Sequence, residues 1–112
     1  MTAANTTNGQ PDANSVFLYD SLPAQLTFFN GDADGAGGGT NPVNFIDSGS
    51  GLTFNYATDV AYSNAASPPA NFAACTYTPT AGYDVNVKYV CFNPKGTMAA
   101  NTGSGSPAFT FS

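Results

Sequence analysis

The strongest constraint on the fold is the rhythm of the sequence. Short apolar segments rich in Val, Phe and Tyr are separated by turns rich in Gly, Pro, Asn and Asp. No segment keeps a helical period of apolar residues over three turns. The turn signals recur at a spacing of roughly 8–12 residues, which is typical of β-sandwiches. We therefore predict an all-β domain, a sandwich of about seven short strands.

Three segments show the clearest strand pattern. Leu52, Phe54 and Tyr56 alternate with polar residues, which predicts a strand with one buried face. The segment 85–92 alternates in the same way and carries a cysteine, and Phe109 and Phe111 alternate in a terminal strand. The period of two predicts that each strand turns one face towards a core.

The length of 112 residues corresponds to one domain. Residues 1–15 are polar and rich in turn formers, so we expect a flexible polar lead there. Residues 16–112 then form the single β-sandwich domain. Pro68 and Pro69 mark a loop inside it, because proline lacks the amide hydrogen that a central strand needs.

The side-chain inventory excludes several functions. The chain contains no His, Arg, Glu or Trp. Its side chains that are charged at neutral pH are two Lys and seven Asp. Without His there is no Ser–His or Cys–His pair for nucleophilic catalysis, and a four-ligand zinc site lacks its ligands. A net charge of -5 repels nucleic acid. We therefore expect a protein that is not an enzyme and binds no nucleic acid.

The two cysteines, Cys75 and Cys91, indicate the compartment. An even number of cysteines in a small, charge-poor domain favours a disulfide in an oxidising environment. The alternative is a pair of buried free thiols, because cysteine also packs as a small apolar side chain. No apolar run approaches the ~20 residues that span a membrane, so we expect no membrane insertion. The expected location is extracellular or on the cell surface.

Two short motifs are candidate ligand or modification sites. Asn30, Asp32 and Asp34 have the alternating spacing of oxygen ligands in a calcium loop. The twelfth position is Asn41 rather than a bidentate Glu, so a plain turn is the favoured interpretation and we expect no cofactor. The sequence Asn5-Thr6-Thr7 is a glycosylation motif, which makes Asn5 a candidate acceptor.

The stretch DSLPAQLTFF at residues 20–29 resembles a signature of the bacterial conserved repeat domain, a surface-protein domain of unknown function numbered eleven. The similarity continues through SGSGLTF, TYTPTAGYD and VCFNPKGTMAA to the terminal FTF, and covers residues 8–111 loosely. The resemblance implies an immunoglobulin-like β-sandwich in a secreted or cell-envelope protein. It also implies tandem modules without catalytic activity.

The chain departs from that family at its first strand, which normally precedes the position of Asn5 and is not visible here. A sandwich without this strand leaves an open edge that an extended segment of another copy can fill. The terminal strand with Phe109 and Phe111 is the better donor, because the polar lead lacks large alternating apolar residues. Donation from each copy to the next gives a fibre unless a ring closes.

These patterns together predict a non-catalytic extracellular structural module of a bacterial surface protein or fibre. Its role would be spacing, adhesion or head-to-tail assembly, with other copies or neighbouring repeat domains as partners. The alternative is a carbohydrate-binding module for surface glycans, because exposed tyrosine rings stack on sugars through apolar contact. The candidate rings are Tyr56, Tyr62, Tyr77, Tyr83 and Tyr89.

Overall fold

The computed structural model describes residues 1–32 and 41–112. This part of the chain is nearly all β, as predicted, with one strand more than expected. Two short helical turns interrupt it, the helix α1 (Tyr56–Asp59) and a 3₁₀ helix (Phe72–Ala74). No helix within these two ranges is long and apolar enough to cross a membrane. The strands are β1 (Thr2–Ala4), β2 (Leu18–Ser21), β3 (Phe28–Asn30), β4 (Phe45–Ser48), β5 (Val60–Ser63), β6 (Gly82–Asp84), β7 (Tyr89–Phe92) and β8 (Ala108–Phe111).

All strand pairs are antiparallel and form three groups. The first sheet has the order β1-β8-β4, and we call it the β8 sheet after its central strand. The second has the order β2-β7-β5 and is called the β7 sheet. Strands β3 and β6 pair with each other as a two-stranded ribbon, which we call the ribbon.

The main core lies between the two central strands. Phe109 and Phe111 of β8 are 1% and 3% exposed, and Phe92 of β7 is stacked on Phe111 with ring centroids 4.1 Å apart. The alternation in each strand turns these rings to the same side. Aromatic contacts of this kind add about 0.5–1.5 kcal/mol to the burial of each pair. The buried members of this core are Phe28, Val43, Leu52, Tyr62, Val87, Val90, Phe92, Met98, Phe109 and Phe111.

A second cluster covers the opposite face of β7. Tyr89 and Cys91 point away from the main core and pack with Cys75, and Phe72 of the 3₁₀ helix lies against them. The predicted disulfide between Cys75 and Cys91 is present in this cluster. It links a central strand to the segment that follows the 3₁₀ helix. Because Cys75 lies outside the strands, the bond does not join two strands or the two sheets.

The polar lead forms a strand and makes hydrogen bonds with the rest of the domain, neither of which was expected. Thr2–Ala4 form β1 and pair with β8, and the Met1 amine donates to the Phe111 carbonyl at 2.6 Å. Further along, the Asn93 side chain donates to the carbonyls of Asn14 and Val16. The expectation of a missing first strand is wrong, because Thr2–Ala4 supply one. The flexibility of the lead stays a prediction. The contacts of the lead use backbone groups, so they require no large apolar side chains in it.

The segment around Leu52 is only partly strand-like. Leu52 is buried and Phe54 packs on the core, as the alternation predicts, but Tyr56 begins α1. The Asn55 side chain caps this helix by accepting from the Ala57 amide at 3.0 Å. An N-cap of this kind is a local hydrogen bond that favours a helical turn over a continued strand.

Candidate functional site

The ribbon carries a contacting pair of exposed aromatic rings, Phe29 and Tyr83, which we call the ridge. Phe28 and Phe29 are neighbours in β3 and face opposite sides, so Phe28 is buried while Phe29 is 44% exposed. Phe29 pairs directly with Tyr83 of β6, and their ring centroids lie 5.0 Å apart at an interplanar angle of 51°. Tyr83 is 76% exposed, and Leu26 and Val85 are exposed beside the ribbon.

The position of the Phe29 ring depends on Gly31. A Cβ atom at Gly31 would lie 2.5 Å from Cε1 of Phe29, so the ring rests against the glycine backbone. The Asn30 side chain donates to the carbonyls of Pro79 at 3.3 Å and Thr80 at 3.0 Å. These contacts tie the end of β3 to the loop that precedes β6.

Asp84 holds the other strand of the ribbon in place. Its buried carboxylate accepts from the amides of Thr80 and Asn86, each at 2.8 Å, and from the hydroxyls of Thr80 and Tyr77. These hydrogen bonds, the Thr80 amide first, lower the pKa of the Asp84 carboxyl. Burial and the bond to Asp84 raise the pKa of Tyr77. The carboxylate is therefore used to fix the loop that presents Tyr83.

Of the five tyrosines considered for sugar stacking, Tyr83 is the exposed one. Tyr62 is buried and shares a hydrogen bond of 2.7 Å with the hydroxyl of Tyr56, and burial raises its pKa. Tyr77 is bonded to Asp84 and Tyr89 lies in the second cluster. Phe29 is not among the residues predicted from the sequence to bind a ligand. Its exposure could have been predicted, because two adjacent phenylalanines in one strand face opposite sides.

A second polar cluster surrounds the buried Asp59. Its carboxylate accepts from the Asn55 amide at 2.7 Å and the Thr58 hydroxyl at 2.9 Å, and the Lys95 ammonium lies 3.6 Å away. Lys95 also donates to the Asn93 side chain and lies 5.4 Å from the centre of the Phe72 ring. Donors thus surround a buried negative charge, which is an arrangement that stabilises the fold.

Two of the three candidate calcium ligands, Asn30 and Asp32, lie within the described residues. Asn30 directs its side-chain amide to the 79–80 loop. Asp34 lies outside the described residues. Within residues 1–32 and 41–112, no group of three or more acidic, Cys or His side chains is placed to hold a metal ion. The plain turn over Asn30, Asp32 and Asp34 stays a prediction, with calcium binding as its alternative.

The candidate glycosylation residue Asn5 is engaged in the fold. Its side-chain nitrogen donates to the carbonyls of Gly9 at 2.7 Å and Ala99 at 2.9 Å. Its side-chain oxygen accepts from the amide and hydroxyl of Thr7. A glycan on that nitrogen would replace a hydrogen used in these contacts, so the folded loop disfavours Asn5 as an acceptor.

The expected donor strand is not free. Strand β8 is the central strand of its sheet and pairs with β1 on one side and with β4 on the other. Phe109 and Phe111 are buried in the core of their own chain, so donating β8 to another copy would require the strand to leave both of its partners. The assembly role of these two residues stays a prediction.

The outer side of β4 is an open sheet edge in the described part of the chain. Asn44 and Ser112 exchange two backbone hydrogen bonds of 2.8 and 3.1 Å. In an antiparallel pair, hydrogen-bonded and non-hydrogen-bonded positions alternate, so Phe45 and Asp47 turn their amides and carbonyls away from β8. Ile46 on this strand is 55% exposed.

A cavity of about 210 Å³ opens between the two sheets beside the chain ends. Its apolar lining includes Leu22, Val43, Val90, Phe92 and Phe111, and Asp20 lies among its polar lining residues.

Comparison of the chain with protein-family models, with curated proteins and with solved structures finds no match.

Proposed function

We propose that this protein is a non-catalytic extracellular structural module of a bacterial surface protein or fibre. It joins other copies of itself, or neighbouring repeat modules, by pairing of sheet edges. The resemblance of residues 20–29 to the bacterial conserved repeat domain supports this proposal. The Cys75–Cys91 bond supports the location, because disulfides persist in oxidising compartments.

The open edge of β4 is the observation that carries the assembly role. Edge strands of monomers are commonly guarded by charged side chains. Asp47 is the one charged residue of β4, and its carboxylate accepts from the amide of Ser50 at 2.9 Å and from the Ser50 hydroxyl. One oxygen of the Asp47 carboxylate is thus bound to the following turn, which leaves less of the charge to guard the edge. Ile46 offers an apolar contact to an added strand.

The test is sedimentation over a concentration series, with wild type beside the variant Ile46→Lys. A lysine on an edge strand opposes pairing, so we expect wild type to associate with rising concentration and Ile46→Lys to stay monomeric. Tyr19→Lys is the matched control, because it adds the same charge to β2, an edge strand of the other sheet. Wild-type protein that is monomeric at all concentrations, or equal effects of both substitutions, would contradict assembly through β4.

A further inference from the structure

Pairing of copies through the β4 edge does not account for the exposed Phe29 and Tyr83 rings of the ridge. These two rings contact each other on the outer face of the ribbon, on residues distinct from those of the β4 edge. Leaving an apolar side chain of this size in water forgoes roughly 1.5–3 kcal/mol of burial. A cross-strand aromatic pair contributes roughly 0.2–1 kcal/mol to its sheet, so the exposed area of the two rings is left to be explained.

The support of the two rings is rigid. The backbone of Gly31 underlies the Phe29 ring, and the Asn30 amide binds the loop before β6. Asp84 fixes the same loop with three hydrogen bonds, from Tyr77 and Thr80, and accepts a fourth from the Asn86 amide after β6. The backbone that carries Phe29 and Tyr83 is therefore held before a ligand binds, and such preorganisation raises affinity.

The size of the ridge argues against a stable protein partner. Aromatic side chains carry roughly 150–250 Å² each, so the 44% and 76% exposed rings of Phe29 and Tyr83 offer on the order of 250 Å². One partner in a standard protein interface contributes about 800 Å². The ridge thus matches a small or linear ligand better than a folded protein surface.

The charges around the ridge argue for a neutral ligand. The chain has two lysines, of which Lys95 is paired with Asp59. Lys88 donates to the Val85 carbonyl at 3.1 Å and is a single ammonium group near β6, in a chain whose net charge of -5 repels an acidic ligand. The carboxylate of Asp84 is buried beneath the ribbon and satisfied by its own loop. Without an arginine, the chain lacks the planar fork that recognises sulfate or carboxylate groups on acidic glycans.

We propose that Phe29 and Tyr83 form a platform that binds a neutral polysaccharide by stacking on its pyranose rings. The apolar C–H face of a pyranose covers an aromatic ring, and the sugar hydroxyls remain in water. The two rings are tilted by 51°, so they present two faces of different direction. Successive sugar rings of a twisted soluble chain meet that geometry, whereas the flat face of a crystalline polysaccharide does not.

The experiment is titration of the pure protein with neutral hexasaccharides of β-1,4-linked glucose, N-acetylglucosamine and mannose, with a polygalacturonate hexasaccharide as the acidic probe. Tyrosine fluorescence reports binding directly, because the chain contains no Trp. We expect at least one neutral hexasaccharide to bind and the acidic probe to bind less. Tyr83→Ala should weaken binding at least about tenfold, which corresponds to ~1.4 kcal/mol.

Two further variants separate stacking from other effects. Tyr83→Phe should keep the affinity, because it preserves the ring. Tyr19→Ala removes an exposed tyrosine of the β7 sheet and should leave binding unchanged. Calorimetry with unlabelled ligand replaces fluorescence for the tyrosine variants, and thermal melting checks that each variant is folded.

The proposal is overturned if none of the three neutral hexasaccharides binds at millimolar concentration, or if Tyr83→Ala binds as wild type does. A loss of self-association in Tyr83→Ala without any glycan binding would assign the ridge to a protein contact and also overturn it. Ile46→Lys should bind glycan normally, so failure of sheet pairing and failure of glycan binding are distinguishable.

Discussion

Strands β8 and β3 each carry two phenylalanines, and these have opposite fates. In β8 the two are separated by one residue, and both Phe109 and Phe111 lie in the core. In β3 they are adjacent, so Phe28 is buried and Phe29 faces outward. The β8 strand is flanked on both sides, whereas β3 has β6 as its partner in the described chain. Spacing and neighbours, rather than residue type, decide which aromatic ring stabilises the fold.

The β8 side and the ribbon side have different roles. The β8 side supplies stability, because its rings contact each other and Phe92 across the two sheets. On the ribbon side, hydrogen bonds of Asn30 and Asp84 hold the backbone that carries the exposed rings. Substitutions on the two sides should therefore differ in what they change as well as in size.

The largest expected effect is on the β8 side. Phe111→Ala removes a 3% exposed ring from the core and should lower the free energy of unfolding by about 3–5 kcal/mol. Phe29→Ala, the matched substitution on the ribbon, should cost less than about 1 kcal/mol, because the ring is already half exposed. Urea denaturation of both variants measures the difference. Similar losses would show that Phe29 is a core residue in solution.

The sequence predicts the β8 side well because its signal is local. Alternating Phe109 and Phe111 between turn residues indicate a strand without knowledge of the rest of the fold. The disulfide also follows from a local count of cysteines. The all-β class needs only the rhythm of turns, since it does not depend on which strands pair.

The missed features depend on distant partners. Thr2–Ala4 have no strand pattern of their own and become β1 by pairing with β8 more than 100 residues later. The exposure of Tyr83 depends on its position opposite Phe29, which the register of two separated segments determines. At Tyr56 the cap supplied by Asn55 overrides the alternation. Long-range pairing and capping are not readable from an apolar pattern alone.

The next effect concerns the second cluster, which tests whether stability resides in the main core alone. Replacing both Cys75 and Cys91 by alanine opens a loop with a sequence separation of 16 and should cost roughly 3 kcal/mol. The loss exceeds that of Phe29→Ala, although neither cysteine lies in the main core. Urea denaturation of wild type with and without reductant gives an independent value. Equal stability with and without reductant would show that Phe72 and Tyr89 hold the segment without the bond.

A smaller effect distinguishes the ribbon by its dependence on pH. The pKa of the Asp84 carboxyl is lowered in the folded chain, so its stabilisation is present above the unfolded pKa of about 4 and is lost as pH falls through the folded value. Asp84→Asn should therefore reduce stability at neutral pH and flatten the decline of stability below about pH 4. Thermal melting between neutral and acid pH measures both changes.

The control for that pH dependence is Asp47→Asn. A side-chain hydrogen bond from Ser50, followed by backbone amides, also lowers the pKa of Asp47, but this carboxylate is exposed and solvent screens its contribution. The change in acid slope should be smaller than for Asp84→Asn. A slope in Asp84→Asn that equals that of wild type would show that the loop before β6 is held by other contacts.

The smallest expected change in stability comes from Gly31→Ala, which separates the shape of the ribbon from its folding. The added methyl group would meet the end of the flexible Phe29 side chain, which can rotate away, and replacing a glycine stabilises by roughly 0.4–1 kcal/mol through the unfolded chain. We therefore expect a change in unfolding free energy within about 1 kcal/mol, but displaced ring resonances of Phe29 and Tyr83 in NMR spectra. Gly9→Ala is the matched control, since its Cβ would meet one atom at 3.7 Å. Unchanged resonances in Gly31→Ala would mean that the glycine does not hold the ring, and the preorganised platform would lose its support.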